Sequence, residues 1–163
     1  MQDKYVILDC TKTIELLEWC HRETDFRPWT PTYMTKRRVG QLKPKYVDVR
    51  KPELPGLVFV PLTQWPDFWR RVPGKYRVSV MALDSLARPR TCTLADLREM
   101  EQILRDQEPG AVTGELLPGT RVVAVAGPFK GMVAQVVEHR KRNVRVQIGT
   151  KYVSMPPKLL DFV

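Results

Sequence analysis

The stretch VVAVAGPFKGMVAQVVEHRKRNVRVQI, residues 122–148, decides the fold of the C-terminal part of the chain. It is dense in valine, and β-branched side chains lose rotamer freedom in helices but fit the pleated surface of strands. Val144, Val146 and Ile148 alternate with polar residues, which predicts a strand with one buried face. The Gly-Pro-Phe-Lys-Gly segment at 127–131 would interrupt a helix. The stretch therefore predicts a small all-β module.

This β module is predicted to span residues 118–163. So short a segment can build only a small hydrophobic core, and we therefore expect its sheet to close into a small barrel, which leaves no unpaired edge strand. The residues before it, 105–117, are rich in Gly and Pro and show no periodicity, which indicates a linker. The density of β-branched residues predicts that the module stays β-structured at all times. The linker should leave it with little fixed interface to the rest of the chain.

The N-terminal part, residues 1–104, shows strand and helix patterns in alternation. The apolar residues 5–8 predict a buried strand. A helix follows, and Thr11 or Thr13 is its expected N-cap. The succession of strand, helix, strands, helix, strand and helix predicts an α+β domain built on an antiparallel sheet.

Three further segments complete this domain. Residues 40–56, GQLKPKYVDVRKPELPG, predict an exposed hairpin arm, and the apolar run GLVFVPL at 56–62 predicts a central strand. The segment TQWPDFWRRVPG at 63–74 predicts a short helix with Pro66 in its first turn and Gly74 at its end. Thr93 and Asp96, three residues apart, predict the capping box of the last helix.

The composition points to a polyanionic partner. Lys and Arg total 27 against 18 for Asp and Glu, which gives a net charge of +9. Such an excess of positive charge most often serves nucleic-acid binding, and the alternative is a solubilising surface. Apolar residues make up 43% of the chain, enough for a folded core. The charge is clustered, with seven basic residues and one acid in 36–51, which favours nucleic acid.

The sequence carries no pattern typical of an enzyme, a metal site or a cofactor site. Cys10, Cys20 and Cys92 have no metal-ligand or disulfide spacing and are expected to be buried thiols in a reducing compartment. His21 and His139 have no carboxylate or thiol at a useful spacing, so we expect structural roles for both. No nucleophile–base pair and no phosphate loop is present. We therefore expect a protein that is not an enzyme and has no cofactor.

The termini and hydropathy predict a cytoplasmic protein. The N-terminal run MQDKYVILDC is too short and too acidic for a signal peptide. No segment approaches the roughly 20 apolar residues of a membrane span. We expect no membrane partner.

Several segments together resemble one family. VVAVAGPFKGMVAQVV is similar to the KOW motif, in which Gly-Pro-Phe-x-Gly joins two apolar strands, and Gly127 and Gly131 fit its tight turn. ELPGLVFVPL is similar to a strand of the NusG N-terminal domain, and KYVIL to its first strand. RRVPG and ARPRTCTLADLREM follow in the NusG order. The resemblance to the NusG family covers residues 4–160.

The resemblance implies a transcription elongation factor that modulates pausing and termination by RNA polymerase. Its N-terminal domain would bind the β′ clamp helices across the DNA cleft and lie near the β subunit, and its KOW domain would recruit Rho or a small-subunit ribosomal protein. Away from polymerase it would be a monomer. The residues that the resemblance assigns to polymerase are Tyr5, Leu57 and Phe59. Leu57 and Phe59 share one side of their strand and would form an apolar patch, and the alternative for both is a core role. Those assigned to the KOW partner are Phe129, Met132 and Pro157.

Basic residues are expected to contact DNA or nascent RNA at the transcription bubble, because Lys and Arg neutralise phosphates. Most lie in the predicted arm, and two follow Trp69, which could place base stacking beside charge. A solvated surface is the alternative for the arm, and a core role the alternative for Trp69. The candidates are Lys36, Arg37, Arg38, Lys43, Lys45, Arg70 and Arg71. The basic turn at 139–143 could touch RNA or acidic protein, or could simply be solvated.

Four positions depart from the family pattern. In the N-terminal domain, Leu57 replaces a tyrosine. On the partner-binding side of the KOW module, Met132 and Ala134 replace the usual aromatic and glycine, and Pro157 lies near a usual phenylalanine. With the short chain and the high basicity, they favour a specialised antiterminator, of the RfaH type or carried by a phage or plasmid. A housekeeping NusG that supports Rho-dependent termination is one alternative. A ribosome-associated KOW protein that binds RNA is another.

Overall fold

The structure, a computed structural model of the 163-residue chain, describes residues 3–81, 89–106 and 115–163. Most of the predicted linker therefore lies outside the described residues, as does the end of RVSVMAL (77–83), which the sequence predicts as a strand. The helices are α1 (Thr13–Glu23), α2 (Trp65–Arg71) and α3 (Leu94–Arg105). The strands are β1 (Lys4–Asp9), β2 (Thr32–Val39), β3 (Lys45–Pro52), β4 (Leu57–Pro61), β5 (Ser79–Val80), β6 (Thr91–Thr93), β7 (Arg121–Ala124), β8 (Val133–Arg140), β9 (Asn143–Ile148), β10 (Lys151–Met155) and β11 (Leu160–Phe162). The protein is an α+β protein with antiparallel sheets.

The N-terminal sheet is centred on β1, which pairs antiparallel with β4 on one edge and with β5 and β6 on the other. The expectation that GLVFVPL forms the central strand is therefore wrong. The outer edge of β4 is not left open, because Trp29 and Phe59 exchange two backbone hydrogen bonds of 2.8 Å across it. An apolar sequence is thus compatible with an edge strand whose polar groups are paired.

The two faces of the N-terminal sheet bury different partners. On one face, Val6, Leu8, Val58 and Val60 pack with residues of α1 and α2, Phe68 among them. The opposite face carries Tyr5, Ile7, Leu57 and Phe59, because Ile7 is registered against Phe59 and strand neighbours alternate sides. We call these four residues the N-terminal apolar face. It joins a second cluster that also contains residues of α3 and of the C-terminal strands.

The beginnings of the helices differ in how they are capped. Thr93 and Asp96 form the predicted capping box of α3, with Asp96 N–H donating to Thr93 Oγ1 over 3.2 Å and Thr93 N–H to Asp96 Oδ2 over 3.0 Å. The predicted threonine cap of α1 is wrong. Its N-cap is Lys12, in a left-handed conformation and without a side-chain cap. The two threonines are engaged by tertiary contacts, since Thr11 Oγ1 donates to the carbonyl of Tyr76 and Thr13 Oγ1 accepts from Gly56 N–H.

The C-terminal strands form one five-stranded antiparallel sheet in the order β10-β9-β8-β7-β11. The predicted alternation of β9 is confirmed, because Val144, Val146 and Ile148 are buried and Arg145 is exposed. Leu116 of the predicted linker also belongs to the core, and its N–H donates to Nδ1 of His139 over 2.8 Å. His139 thus has the structural role expected for it. Closure of this sheet into a barrel stays a prediction.

The C-terminal sheet is packed against the N-terminal domain, contrary to the expectation of little fixed interface. Helix α3 contacts the two turns Gly127–Phe129 and Pro157–Leu159. The approach is close, since a Cβ atom on Gly127 would lie 2.7 Å from Sδ of the fully buried Met100. One continuous apolar cluster therefore spans both domains. Linker composition could not reveal this, because the interface depends on surfaces distant in sequence.

Polar contacts surround this interface. Arg90 Nε donates to the carbonyl of Pro128 over 3.0 Å, and Lys130 pairs with Glu99 over 3.0 Å. Lys158 Nζ donates to the carbonyl of Asp106. The most buried charge is Glu53, whose side chain is 8% exposed and which pairs with Arg142 of the β8–β9 turn over 2.8 Å.

Candidate functional site

The N-terminal apolar face is covered in this arrangement. Phe59 is fully buried and Leu57 is 2% exposed, while Tyr5 is half-buried. The ring of Phe59 packs against Trp29 with centroids 5.9 Å apart. The structure places the three residues predicted for polymerase binding on one face, but it does not expose them as a patch. Their role in binding stays a prediction.

The residues predicted for the KOW partner are also directed at the interface between domains. Phe129 is 2% exposed and belongs to the shared apolar cluster, and Met132 packs against that cluster. Pro157 is half-buried and begins the turn that α3 contacts. Each domain therefore covers candidate binding residues of the other. Sequence reasoning missed this reciprocal coverage because it considered the two surfaces separately.

Strands β2 and β3, with the turn between them, form the basic arm, residues 32–52, which is a separate two-stranded sheet. All five basic residues predicted here are exposed, but they do not share one face. Lys36 and Arg38 lie on one side of the arm, the same side as their cross-strand partners Asp48 and Tyr46. Arg37 lies on the other side. Lys36 is partly neutralised by Asp48, 3.5 Å away. The most available cations of the first side are therefore Arg38 and a residue not predicted, Arg50.

The side of the arm that carries Arg38 combines charge with exposed apolar surface. Tyr46 is 64% exposed and is registered against Arg38, and Met34 is 62% exposed and is registered against Arg50. An aromatic ring beside a guanidinium offers a stacking surface and a phosphate ligand together. The period of two along both strands is the signal in the sequence that could have identified Tyr46 and Arg50.

A groove of about 970 Å³ lies where the arm meets the end of α1. Arg22, Arg27 and Arg50 are among its lining residues, with Trp29 at one side. It brings Arg50 of the arm together with Arg22 and Arg27, which lie in one segment around the end of α1. Because Arg50 is distant from the other two along the chain, no motif could have indicated the groove as a whole.

The two predicted basic residues of α2 are partly engaged within the domain. Arg70 pairs with Asp67 one turn earlier in the helix, and the guanidinium of Arg71 lies 5.0 Å from the ring centroid of Phe26. Trp69 is 51% exposed and lies against Trp65 with ring centroids 5.2 Å apart. The core role considered for Trp69 is therefore wrong. Its exposed ring remains available for stacking.

The three cysteines are buried, free thiols, and burial disfavours their reactive thiolate form. Desolvation raises the pKa of the Cys10 thiol to about 11 and that of Cys20 and of Cys92 to about 12. Within 3–81, 89–106 and 115–163, no group of three or more His, Cys, Asp or Glu side chains is arranged to hold a metal ion. In those same residues, no helix has the length and apolar character needed to cross a membrane.

Comparison with known proteins finds a likeness among solved structures. No family model and no curated protein matches the chain. Among solved structures, the chain is similar to Thermotoga maritima NusG, from a structure described as "Domain interaction in Thermotoga maritima NusG". The match covers 100% of this chain and 98% of that one, with 18% identity and a TM-score of 0.38. Because the identity and the TM-score are low, the function proposed below rests on the residues themselves.

The basic arm yields a direct prediction. We expect Arg37, Arg38 and Lys43 replaced together by Ala to weaken nucleic-acid binding and to flatten its salt dependence. Each lost phosphate contact lowers the log–log slope on duplex DNA by about 0.9. A salt titration of DNA affinity measures this slope. The matched control replaces Arg98, Arg105 and Arg121, which are exposed outside the arm, and removes the same charge. Equal slopes for the two triple variants would show that the arm is only solvated.

Proposed function

We propose that this chain is a transcription elongation factor of the NusG type that acts as an antiterminator. The proposal depends above all on one observation: the N-terminal apolar face is covered by α3 and the C-terminal sheet, whereas α1 and α2 cover the opposite face. A tethered domain can detach from the sheet face that it covers, and the helices on the other face then stay folded. Such a face suits a partner that competes with the tethered domain.

In the proposed complex the N-terminal apolar face binds the β′ clamp helices of RNA polymerase. The basic arm then lies along DNA or nascent RNA at the bubble, where its exposed arginines meet phosphates. The C-terminal sheet binds a second factor, Rho or a small-subunit ribosomal protein, through Phe129, Met132 and Pro157. The resemblance of the sequence to NusG proteins supports these assignments.

Because each domain covers the proposed binding residues of the other, the two domains must separate before either polymerase or the second factor can bind. While the domains are packed, neither Phe59 nor Phe129 is accessible to a partner. A partner that binds only the open form must overcome the closed population, which lowers its apparent affinity by the fraction that is open. Variants that open the interface should therefore bind polymerase more tightly.

The Gly127→Ala variant tests this proposal. The added Cβ would lie 2.7 Å from Sδ of Met100, so we expect it to separate α3 from the turn and to raise polymerase affinity several-fold. Gly131→Ala is a matched control. Gly131 has the same φ of +83°, so both variants bear a backbone strain of about 1–2 kcal/mol, but nothing lies within 4 Å of a Cβ at Gly131. Co-purification with RNA polymerase and transcription across a terminator, with and without Rho, provide the measurements.

A second substitution separates opening from simple damage. Adding Met100→Ala to Gly127→Ala removes Sδ and Cγ, the nearest obstructing atoms, so we expect closure and the lower affinity to return. If neither Gly127→Ala nor wild type binds polymerase while both remain folded, the proposed function is wrong. Capture of ribosomes instead would favour the ribosome-associated alternative.

A further inference from the structure

A pocket of about 400 Å³ lies on the C-terminal sheet at the border with the N-terminal domain. Its lining includes three arginines, Arg140, Arg142 and Arg145, and one acid, Glu138. We call it the arginine pocket. Arg140 and Arg142 have side chains 79% and 51% exposed, so a ligand in solvent can reach both. The surplus of positive charge selects for an anion.

The arginines are spaced for a phosphate-bearing ligand. Arg140 is registered against Asn143, so Arg145 is its diagonal neighbour across β8 and β9, at about 7–8 Å. Arg142 lies in the turn that joins these strands. Guanidinium groups bind phosphate through a planar fork of N–H donors. Arg140 Nε donates to Oε1 of Glu138 over 2.7 Å, so a phosphate bound there displaces this carboxylate. After that exchange, the three guanidinium groups around the pocket can hold consecutive phosphates of one strand.

An aromatic ring beside the pocket indicates that the ligand also has bases. Tyr152 is 52% exposed on β10, and the guanidinium of Arg145 lies 4.8 Å from its ring centroid. Exposed rings next to arginines are the usual means of binding single strands without sequence preference, by stacking. An acidic peptide would use the arginines but not the ring. The geometry thus favours single-stranded nucleic acid.

Domain closure occupies one of the three arginines. Arg142 donates to Oε1 of Glu53 over 2.8 Å and lies 3.6 Å from the ring centroid of Tyr33, both in the N-terminal domain. A phosphate on Arg142 would compete with the Glu53 carboxylate for the same donors, and the two anions would repel each other. Closure must therefore weaken binding in the pocket, and binding must weaken closure by the same factor.

We propose that the arginine pocket binds the sugar-phosphate backbone of single-stranded nucleic acid, and that the Glu53–Arg142 pair makes this binding and domain closure mutually antagonistic. The arginines of this site lie outside the basic arm and the N-terminal apolar face, and Arg142 contacts the arm through the ring of Tyr33. It does not require that the protein bind polymerase. A single strand emerging near the protein would then favour the open form.

The experiment measures fluorescence anisotropy of a labelled oligouridine of about 12 nucleotides, within the usual size of single-strand sites. All variants are made in the full chain with Arg37, Arg38 and Lys43 already replaced by Ala, so that the arm contributes little. We expect Arg140→Ala with Arg145→Ala to weaken binding at least about tenfold and to lower the salt slope by about 1.4, since each phosphate on a single strand contributes about 0.7. An oligothymidine of equal length distinguishes RNA from DNA.

The Glu53→Gln variant tests the antagonism. It keeps the size of the side chain and removes its charge, so we expect oligouridine binding to tighten about fivefold or more, as for other coupled sites. Glu99→Gln is the matched control, because it removes the same charge and the other interface pair, with Lys130, but does not touch Arg142. Thermal unfolding verifies that each variant is folded.

Three outcomes would overturn the proposal. Equal affinities for Glu53→Gln and Glu99→Gln would remove the antagonism. Unchanged binding after loss of Arg140 and Arg145 would show that the nucleic acid lies elsewhere. Displacement of the oligonucleotide by polyglutamate of equal charge, at equal concentration, would identify a general anion site. None of these outcomes depends on polymerase binding, so the proposed function can stand or fall separately.

Discussion

Phe59→Ala is expected to destabilise the folded protein by about 3–5 kcal/mol, the usual cost of removing a buried phenylalanine ring. Phe59 is fully buried, and its ring packs on Trp29 within the cluster that both domains share. The backbone of β4 is hydrogen-bonded to β1 on one edge and to Trp29 on the other, so it cannot readily move to fill the cavity. Denaturant unfolding followed by circular dichroism measures the change.

Phe162→Ala is the matched control for this prediction, because Phe162 is 54% exposed and its loss should change stability by no more than about 0.5 kcal/mol. If both variants lose the same stability, Phe59 is not the core residue that the structure indicates. The result also limits how a binding assay can be read. Loss of polymerase binding by Phe59→Ala supports a direct contact only where the variant is still folded.

Arg142→Ala is expected to shift the protein toward the open form, in which the two domains are separated. We expect this effect to be the second largest, after that of Phe59→Ala. It leaves the carboxylate of Glu53 buried without its partner, and a buried acceptor deprived in this way costs at least about 1–3 kcal/mol. The packing of Arg142 on Tyr33 is lost as well. We expect amide hydrogen exchange in the turn Gly127–Phe129 and in α3 around Met100 to accelerate by roughly 5- to 150-fold, the range that this cost implies.

Arg145→Ala provides the control, because this exposed arginine stacks on Tyr152 of its own domain and should leave exchange at the interface unchanged. The double variant Glu53→Ala with Arg142→Ala should recover much of the protection, since removing both partners leaves no buried charge unpaired. Exchange in Arg142→Ala as slow as in the wild type would show that the apolar cluster alone holds the domains together.

The local structure could largely be predicted from the sequence, because local interactions decide it. Thr93 and Asp96 cap α3 through groups three residues apart, and the alternation at Val144, Val146 and Ile148 determines which side of β9 is buried. Such signals depend on the periodicity of apolar residues and on hydrogen-bonding groups within a few positions of each other. The cap of α1 could not be predicted in this way, since Thr11 and Thr13 bond to Tyr76 and Gly56, far along the chain.

The candidate sites were predicted in part, for the same reason. Exposure of the basic arm followed from its charge, but the division of its cations between two faces required the register of β2 against β3. The arginine pocket was indicated only as a basic turn at 139–143. Its link to Glu53 joins residues 89 positions apart, and no pattern within one segment reports such a pair.

The sequence by itself determined the α+β class, the β character of the C-terminal part and the sharp turn at Gly127. Propensity, alternation and the steric freedom of glycine act within a few residues, whatever the rest of the chain does. Only the tertiary structure decided that Phe59 and Phe129 are both buried in one cluster and that β1 is the central strand. The physical reason is that burial requires two surfaces in contact. An apolar pattern in the sequence predicts one of these surfaces, but the hydrophobic effect is non-directional and does not specify which other surface will cover it.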